Sequence, residues 1–208
     1  MEKLANRIAE TVARNNGLDE ERKRVVAYGL SALIQMLFLL FSSLVFGLLF
    51  HCFVESMVIF ASVGLIKRAT GGAHSNTSGN CTVISLVSIF VMALVSRYVV
   101  PVVEPYWYVY LVFAVLSFGI AFFTVFRRAP VATPKKPITR PEKIKRLRRQ
   151  SFMTVGAFFA LAVAWILLAR YNPRLVNASV SLCLAALWQS FMLTESGAKL
   201  ISFIDSSA

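Results

Sequence analysis

The sequence is poor in charged residues. Only 15% of its 208 residues are charged, whereas 57% are hydrophobic, and the mean hydropathy is +0.67. A soluble chain is typically about a quarter charged, so too little polar surface is present to cover a water-soluble globule. We therefore predict an all-α, polytopic membrane protein that forms a single domain over residues 1–208.

Cysteine is also scarce. The three residues Cys52, Cys81 and Cys183 are too few, and odd in number, for a disulfide framework. They are expected to be reduced thiols, or one reactive thiol with two packing residues. We predict that Cys52 and Cys183 pack, and that His51 lies with Cys52 in an outer turn.

The N-terminal segment lacks the apolar core of a cleavable signal peptide. Residues 1–17 instead predict an amphipathic helix with Leu4, Ile8 and Val12 along one face, four residues apart. Such a helix can lie at the membrane interface or pack on the rest of the protein, and both placements remain open.

The apolar residues fall into about six runs long enough to cross a bilayer. Residues 25–66 contain one formal charge, Glu55, and their length suits two passes with a turn near residues 50–55. Arg97 is expected to extend toward water from one end of the third span. The four remaining spans are predicted at residues 83–103, 106–126, 152–169 and 175–194.

A basic loop at residues 127–150 sets the predicted orientation. Its basic residues would suit nucleic acid in a soluble protein, but positive loops of membrane proteins lie on the cytoplasmic side. The same side then receives the N-terminal helix, residues 67–81 and a tail at residues 195–208. Nucleic acid is accordingly not an expected partner. The ten basic residues are Arg127, Arg128, Lys135, Lys136, Arg140, Lys143, Lys145, Arg146, Arg148 and Arg149.

The loop at residues 67–81 carries the chemistry. It contains three glycines and several Ser, Thr and Asn residues but no large apolar side chain, which suits a backbone that approaches something closely. A thiol is nucleophilic as a thiolate, and the His74 imidazole could take the proton of Cys81. We expect Cys81 at, or just before, the start of the third span, where the helix N-terminus favours a thiolate.

Supporting groups for this pair are also predicted. Helix N–H groups, with the side chain of Asn80 or Asn76, could stabilise an oxyanion. No acidic residue lies in the loop to orient His74, so Ser75, Ser78, a backbone carbonyl or Gln189 would do so. From spacing alone a structural pair is the more frequent explanation, and zinc is less favoured because no further ligands cluster nearby. We predict no metal and no cofactor.

Several motifs together resemble the accessory gene regulator protein B (AgrB) family of membrane peptidases. The resemblance rests on residues 68–74, which read RATGGAH, followed by Cys81 seven residues after His74. It is strengthened by residues 129–131 (APV), residues 135–138 (KKPI), and Gln189 with Leu193 and Thr194.

The resemblance implies a processing enzyme for a short AgrD-like propeptide in bacterial quorum sensing. By this analogy Cys81 attacks a peptide carbonyl, His74 acts as base and then acid, and the peptide remains on Cys81 as a thioester. An internal Cys or Ser of the peptide then closes a thiolactone or lactone. The expected location is the bacterial plasma membrane.

The resemblance also implies roles around this pair. Lys67 and Arg68 would bind the acidic part of the propeptide or anchor the topology, and Gly71 and Gly72 would let the substrate backbone pass. Gln189 would face the pair or bond a neighbouring helix. The basic loop would hold anionic lipid or substrate, and a homodimer is allowed.

Two other functions remain as alternatives. A peptide exporter without protease activity would also use six spans and a basic loop, but it predicts polar residues along several spans. A membrane scaffold would have no use for the polar, glycine-rich loop at residues 67–81.

Overall fold

The computed structural model describes residues 2–73, 75, 77–99, 107–131 and 141–206. A short π-helical turn, Val95–Val99, continues the fourth helix. The described residues confirm the all-α prediction and form α1 (Glu2–Asn16), α2 (Glu20–Leu49), α3 (Phe53–Thr70), α4 (Ser78–Leu94), α5 (Trp107–Arg128), α6 (Pro141–Leu168), α7 (Arg174–Met192) and α8 (Glu195–Ser206).

Most of the long helices are suited to cross a membrane. Within the described ranges, five are long and apolar enough: Glu20–Leu49, Gly79–Tyr98, Trp107–Arg128, Pro141–Leu168 and Arg174–Met192. The one expected span outside these five is the second in chain order, which corresponds to α3. This helix has 18 residues and bears charges near both ends, at Glu55 and at Lys67 and Arg68. The polytopic membrane fold is therefore confirmed, and α3 differs from the five other spans in that its only 18-residue stretch carries three charged residues.

Three segments predicted to be irregular are partly helical. Of the loop predicted at residues 67–81, only residues 71–77 lie between helices, because α3 extends to Thr70 and α4 begins at Ser78. The loop predicted at residues 127–150 ends early, because α6 begins at Pro141 and includes residues 141–150. Proline is favoured at the first helical position, and the following Lys, Arg and Glu residues are good helix formers. The tail predicted at residues 195–208 contains α8, which buries Gly197 and Ile201 on one face.

The N-terminal helix α1 packs against α2. Its buried face consists of Ala5, Ala9 and Ala13, whereas Leu4 and Ile8 are 54% and 39% exposed. The helix is thus confirmed, but its alanines rather than its larger apolar residues face the protein. Small side chains permit close helix packing.

Helix α7 lies at the centre of the bundle, in contact with α3, α5 and α6. Thirteen of its 19 residues are buried, and many of these are small. The Ser179 hydroxyl donates a hydrogen bond of 3.0 Å to the Ala162 carbonyl oxygen on α6. Cys183 is buried here as predicted. Small residues allow the close approach that drives helix association in membranes.

The end of the bundle at the turn between α2 and α3 contains a buried carboxylate. Glu55 is 5% exposed and accepts a hydrogen bond of 3.4 Å from the Asn177 amide. Arg97, expected to extend toward water, is about one-third exposed and lies 3.9 Å from Glu55. The pairing offsets the cost of burying the carboxylate. His51 is exposed and, with Glu55, Arg97 and Arg174, lines a cavity of about 300 Å³.

The turn between α2 and α3 requires glycine at position 47. A Cβ atom there would lie 2.8 Å from the Phe53 Cα atom, whereas a Cβ atom at Gly64 on α3 would meet nothing within 4 Å. We expect Gly47→Ala to lower the free energy of unfolding by about 1–3 kcal/mol through overpacking. Gly64→Ala is the matched control, because both changes raise helix propensity. Thermal midpoints in detergent should fall for Gly47→Ala only; equal midpoints would contradict the contact.

Candidate active site

The side-chain amide of Gln189 on α7 holds the end of α3. Its Nε2 atom donates to the Thr70 hydroxyl oxygen at 3.1 Å and to the Gly71 carbonyl oxygen at 2.8 Å. Gln189 is 1% exposed, so these bonds satisfy an amide that would be costly to bury unpaired. Of the two predicted roles, helix-to-helix bonding is therefore the one that the described contacts support.

Two glycines follow α3, and both have positive φ angles, +73° at Gly71 and +133° at Gly72. A Cβ atom at Gly71 would collide with the Val131 carbonyl oxygen, and one at Gly72 would lie 3.2 Å from the Gln189 Nε2 atom. We predicted that a substrate backbone passes close to these glycines. In the structure the Val131 backbone and the Gln189 side chain of the protein itself lie close to them. Glycine is required here for both conformation and space.

The segment after α5 crosses the end of α3. Val131 donates its backbone N–H to the Thr70 carbonyl oxygen at 2.9 Å, and an isolated backbone bridge joins Val131 to Gly71. Beyond the glycines, the Ala73 N–H donates to the Met192 carbonyl oxygen at the end of α7, also at 2.9 Å. Two separate segments therefore fix the path of the loop as far as Ala73.

Thr77 caps the N-terminus of α4. Its side-chain oxygen accepts the Asn80 N–H at 3.3 Å, and its carbonyl oxygen accepts the Cys81 N–H at 3.2 Å. Helix α4 begins at Ser78, so Cys81 lies within its first turn rather than at or before its start. The Cys81 N–H is engaged in the helix, and the N–H groups of Ser78 and Gly79 lie outside the intrahelical ladder.

Cys81 is the most accessible of the three cysteines. All three are free thiols; Cys52 and Cys183 are buried, whereas Cys81 is half-buried. Burial is the main cause that raises the pKa of the Cys52 thiol. A raised pKa leaves a thiol protonated and unreactive near neutral pH.

A residue of α8 joins this loop, although sequence reasoning did not select it. The Asp205 Oδ1 atom accepts a hydrogen bond from the Ser75 hydroxyl, and it also accepts the Asn80 side-chain amide at 3.0 Å. Ser75 is 6% exposed, and its oxygen accepts the Thr77 N–H at 3.2 Å. The Asn80 side chain, predicted to face an oxyanion, is thus engaged by a carboxylate. The amphipathic period of residues 195–206 was the available signal.

The remaining predicted residues divide into two groups. Lys67 is half-buried and Arg68 exposed in the last turn of α3, at the same end of the bundle as Cys81. His74, Asn76 and the Ser78 side chain lie outside the described part of the chain. In that part, no group of three His, Cys, Asp or Glu side chains could hold a metal ion.

The fold and this site together define a class of protein. The protein is a helical membrane protein with an accessible thiol in the first turn of α4, and the glycine turn that precedes this helix is held by two other segments, α7 and the residues after α5. The model of the accessory gene regulator B family matches residues 5–193. The chain belongs to the AgrB family.

Individual relatives agree with this assignment. The chain is 31% identical over 210 residues to a protein named putative AgrB-like protein from Clostridium perfringens strain SM101, covering 99% of this chain and 97% of the relative. It is 25% identical over 187 residues to accessory gene regulator protein B of Staphylococcus lugdunensis, covering 90% and 92%. No solved structure matches the chain significantly.

The Gln189 contacts generate a prediction about stability. Gln189→Leu leaves the Gly71 carbonyl without its amide donor, so we expect a loss of about 1–3 kcal/mol. Ser190→Ala is the control, because the Ser190 hydroxyl donates only within its own helix, to the Ala186 carbonyl oxygen. Thermal midpoints and limited proteolysis of the loop at residues 71–77 measure the effect. Equal values for the two variants would contradict it.

Proposed function

We propose that this protein is a membrane cysteine endopeptidase that cleaves an AgrD-like propeptide through a thioester on Cys81. The observation that carries the proposal is the accessible Cys81 thiol in the first turn of α4, seven residues after His74 in a loop whose ends are held by other helices. Membership of the AgrB family supports it. The proposal extends to cyclisation of the cleaved peptide in quorum sensing.

The first step is acyl transfer to the enzyme. His74 takes the proton from the Cys81 sulfur, and the thiolate attacks a peptide carbonyl near the C-terminal side of the propeptide. The N–H groups of Ser78 and Gly79 are suited to stabilise the oxyanion. The C–N bond then breaks, His74 returns its proton to the leaving amine, and the acyl group remains on Cys81.

The second step releases the product. A Cys or Ser side chain inside the bound peptide loses its proton to His74 and attacks the thioester carbonyl. The bond between that carbonyl and the Cys81 sulfur breaks, the thiol is restored, and a thiolactone or lactone forms. A tethered nucleophile has a high effective concentration, so cyclisation outcompetes hydrolysis where bulk water is limited.

Basic residues near the site favour an acidic substrate. Lys67 and Arg68 lie one turn before the glycines, and Arg127 and Arg128 end α5 beside Val131. An acidic segment of the propeptide would neutralise part of this charge, and anionic lipid headgroups would do so elsewhere on the surface. The partners proposed are therefore a short propeptide and membrane lipids, with a homodimer as the working unit allowed.

The same charges support the proposed orientation. The ends of α3, α5 and α7 and the start of α4 meet at one end of the bundle, which also carries the basic residues that flank α5 and α6. By the positive-inside rule this end, together with both termini, lies in the cytoplasm.

The test of the chemistry uses the purified full-length protein in liposomes with a synthetic AgrD-like propeptide. Cys81→Ala should lower the cleavage rate by at least about 10³-fold, because the nucleophile is lost. Cys183→Ala, which removes a buried thiol, is the control and should cleave normally. The wild type should also form a covalent peptide adduct that hydroxylamine releases. Undiminished cleavage by Cys81→Ala or His74→Ala would refute the mechanism, and transport without cleavage would favour an exporter.

The orientation is tested by labelling single cysteines in intact cells. Asn172→Cys, in the turn before α7, and Ser202→Cys, on the exposed face of α8, are introduced separately into the Cys81→Ala variant. A membrane-impermeant maleimide should label Asn172→Cys in intact cells, and Ser202→Cys only after permeabilisation. The reverse pattern would place the site outside and contradict the proposed location.

A further inference from the structure

The C-terminal helix α8 brings a carboxylate to the candidate active site. The Asp205 Oδ1 atom accepts hydrogen bonds from the side chains of Ser75 and Asn80. Ser75 is the residue directly after His74, and Asn80 is the residue directly before Cys81. One oxygen atom therefore bonds both neighbours of the proposed catalytic pair.

The location of Asp205 follows from how α8 packs. Gly197, Ile201 and Asp205 are four residues apart and share a helix face, of which Gly197 and Ile201 are buried. A Cβ atom at Gly197 would collide with the Phe191 carbonyl oxygen and would lie 2.9 Å from the Met192 Cα atom. This close contact turns the face of α8 toward the end of α7, which also holds the loop at Ala73.

The start of α8 is equally well defined. The Thr194 side-chain oxygen accepts the Gly197 N–H at 3.2 Å, and its carbonyl oxygen accepts the Ala198 N–H at 3.1 Å. A capped helix start restricts the direction of the helix. Asp205 lies almost three turns further along this helix, where its carboxylate contacts Ser75 and Asn80.

The hydrogen bonds of the Asp205 carboxylate are suited to hold Ser75 and Asn80 in fixed positions. A carboxylate is a stronger acceptor than a neutral oxygen. Ser75 is almost fully buried and also accepts the Thr77 N–H, so Asp205 is connected through Ser75 to the residue that caps α4. Residues 67–81 contain no acidic residue of their own, and the family match at residues 5–193 ends before α8.

We propose that Asp205 is the positioning residue of the Cys81–His74 site: through Ser75 and Asn80 its carboxylate sets the backbone on which His74 and Cys81 stand. The inference rests on the proposed peptidase function. Helix α8 then contributes to the reaction rate as well as to packing. A displacement of about 1 Å between reacting groups can lower a rate about 100-fold, so a small shift of this backbone would slow the reaction.

The first experiment measures cleavage kinetics of the full-length protein in liposomes. Asp205→Ala should lower kcat by about 10- to 100-fold with KM nearly unchanged, because the loop is displaced while the substrate-binding charges remain. Asp205→Asn keeps an acceptor of the same shape and should recover part of the loss. Glu195→Gln removes a carboxylate from the same helix, where it pairs with Arg128 at 3.3 Å, and should retain the wild-type kcat.

A purely structural role gives a different result. If Asp205 only fastens α8, Asp205→Ala will lower the thermal midpoint and the folded fraction but leave kcat per folded molecule unchanged. That outcome, or full activity of Asp205→Ala at an unchanged midpoint, overturns the proposal. A reduced kcat at a wild-type midpoint supports it.

A multiple-mutant cycle tests whether Asp205 acts through its two partners. The Ser75→Ala, Asn80→Ala double variant should lose activity to a similar degree as Asp205→Ala. Adding Asp205→Ala to that double variant should then lower kcat by less than about threefold more, since the effects of substitutions within one hydrogen-bond network are not additive. Losses that multiply would show that Asp205 acts independently and would overturn the proposal.

The contact itself can be tested without the chemistry. In the Cys81→Ala background, Ser75→Cys with Asp205→Cys should form a disulfide when oxidised by copper phenanthroline, whereas Ser75→Cys with Glu195→Cys should not. No disulfide in the first pair overturns the contact. If Cys81→Ala is inactive but Asp205→Ala fully active, only the positioning role fails; if Cys81→Ala cleaves, the peptidase function itself fails.

Discussion

The buried amide of Gln189 connects α7 to the end of α3, and the geometry of the candidate site depends on this connection. A side-chain amide in an apolar helix is costly unless its hydrogen-bonding groups are satisfied. The Nε2 atom finds its acceptors on Thr70 and Gly71, so the glycine turn has one favourable position against α7. Val131 then donates its N–H to the Thr70 carbonyl oxygen, and Ala73, just after the turn, donates its N–H to the Met192 carbonyl oxygen at the end of α7.

Helix α7 contacts and positions segments that are far apart in the sequence. Along most of its length it packs through small residues against α3, α5 and α6. Its C-terminal end provides the Gln189 amide and the Met192 carbonyl oxygen that accepts the Ala73 N–H, and it is followed by Thr194, which caps α8. Loops from three parts of the chain therefore meet at one end of a single helix, and Asp205 reaches them from α8.

Much of this architecture could be predicted from local patterns. Long apolar runs and the placement of basic residues indicated the membrane class, since the bilayer imposes one length and one charge bias on every span. The prediction that Cys81 lies at or just before a helix N-terminus was close, since Cys81 lies in the first turn of α4. The start of α4 was misplaced because the Thr77 cap, a short polar signal, lies inside a loop rich in similar residues.

Other features could not be predicted because they depend on contacts between distant residues. Gly71 and Gly72 suggested a close approach, but the sequence did not show that Val131 and Gln189 make it. Asp205 lies more than 120 positions from Ser75 and Asn80. A predicted tail offers no reason to connect its carboxylate with this loop.

The amino-acid sequence alone determined the membrane class, most of the spans, and the segment that carries the motif of His74 and Cys81, because hydropathy, charge bias and motif spacing are local properties. Tertiary structure decided which groups surround that loop: the Gln189 amide, the Val131 backbone and the Asp205 carboxylate. The physical reason is that a buried polar group needs a partner, and the bundle selects which of many polar residues comes within hydrogen-bonding distance.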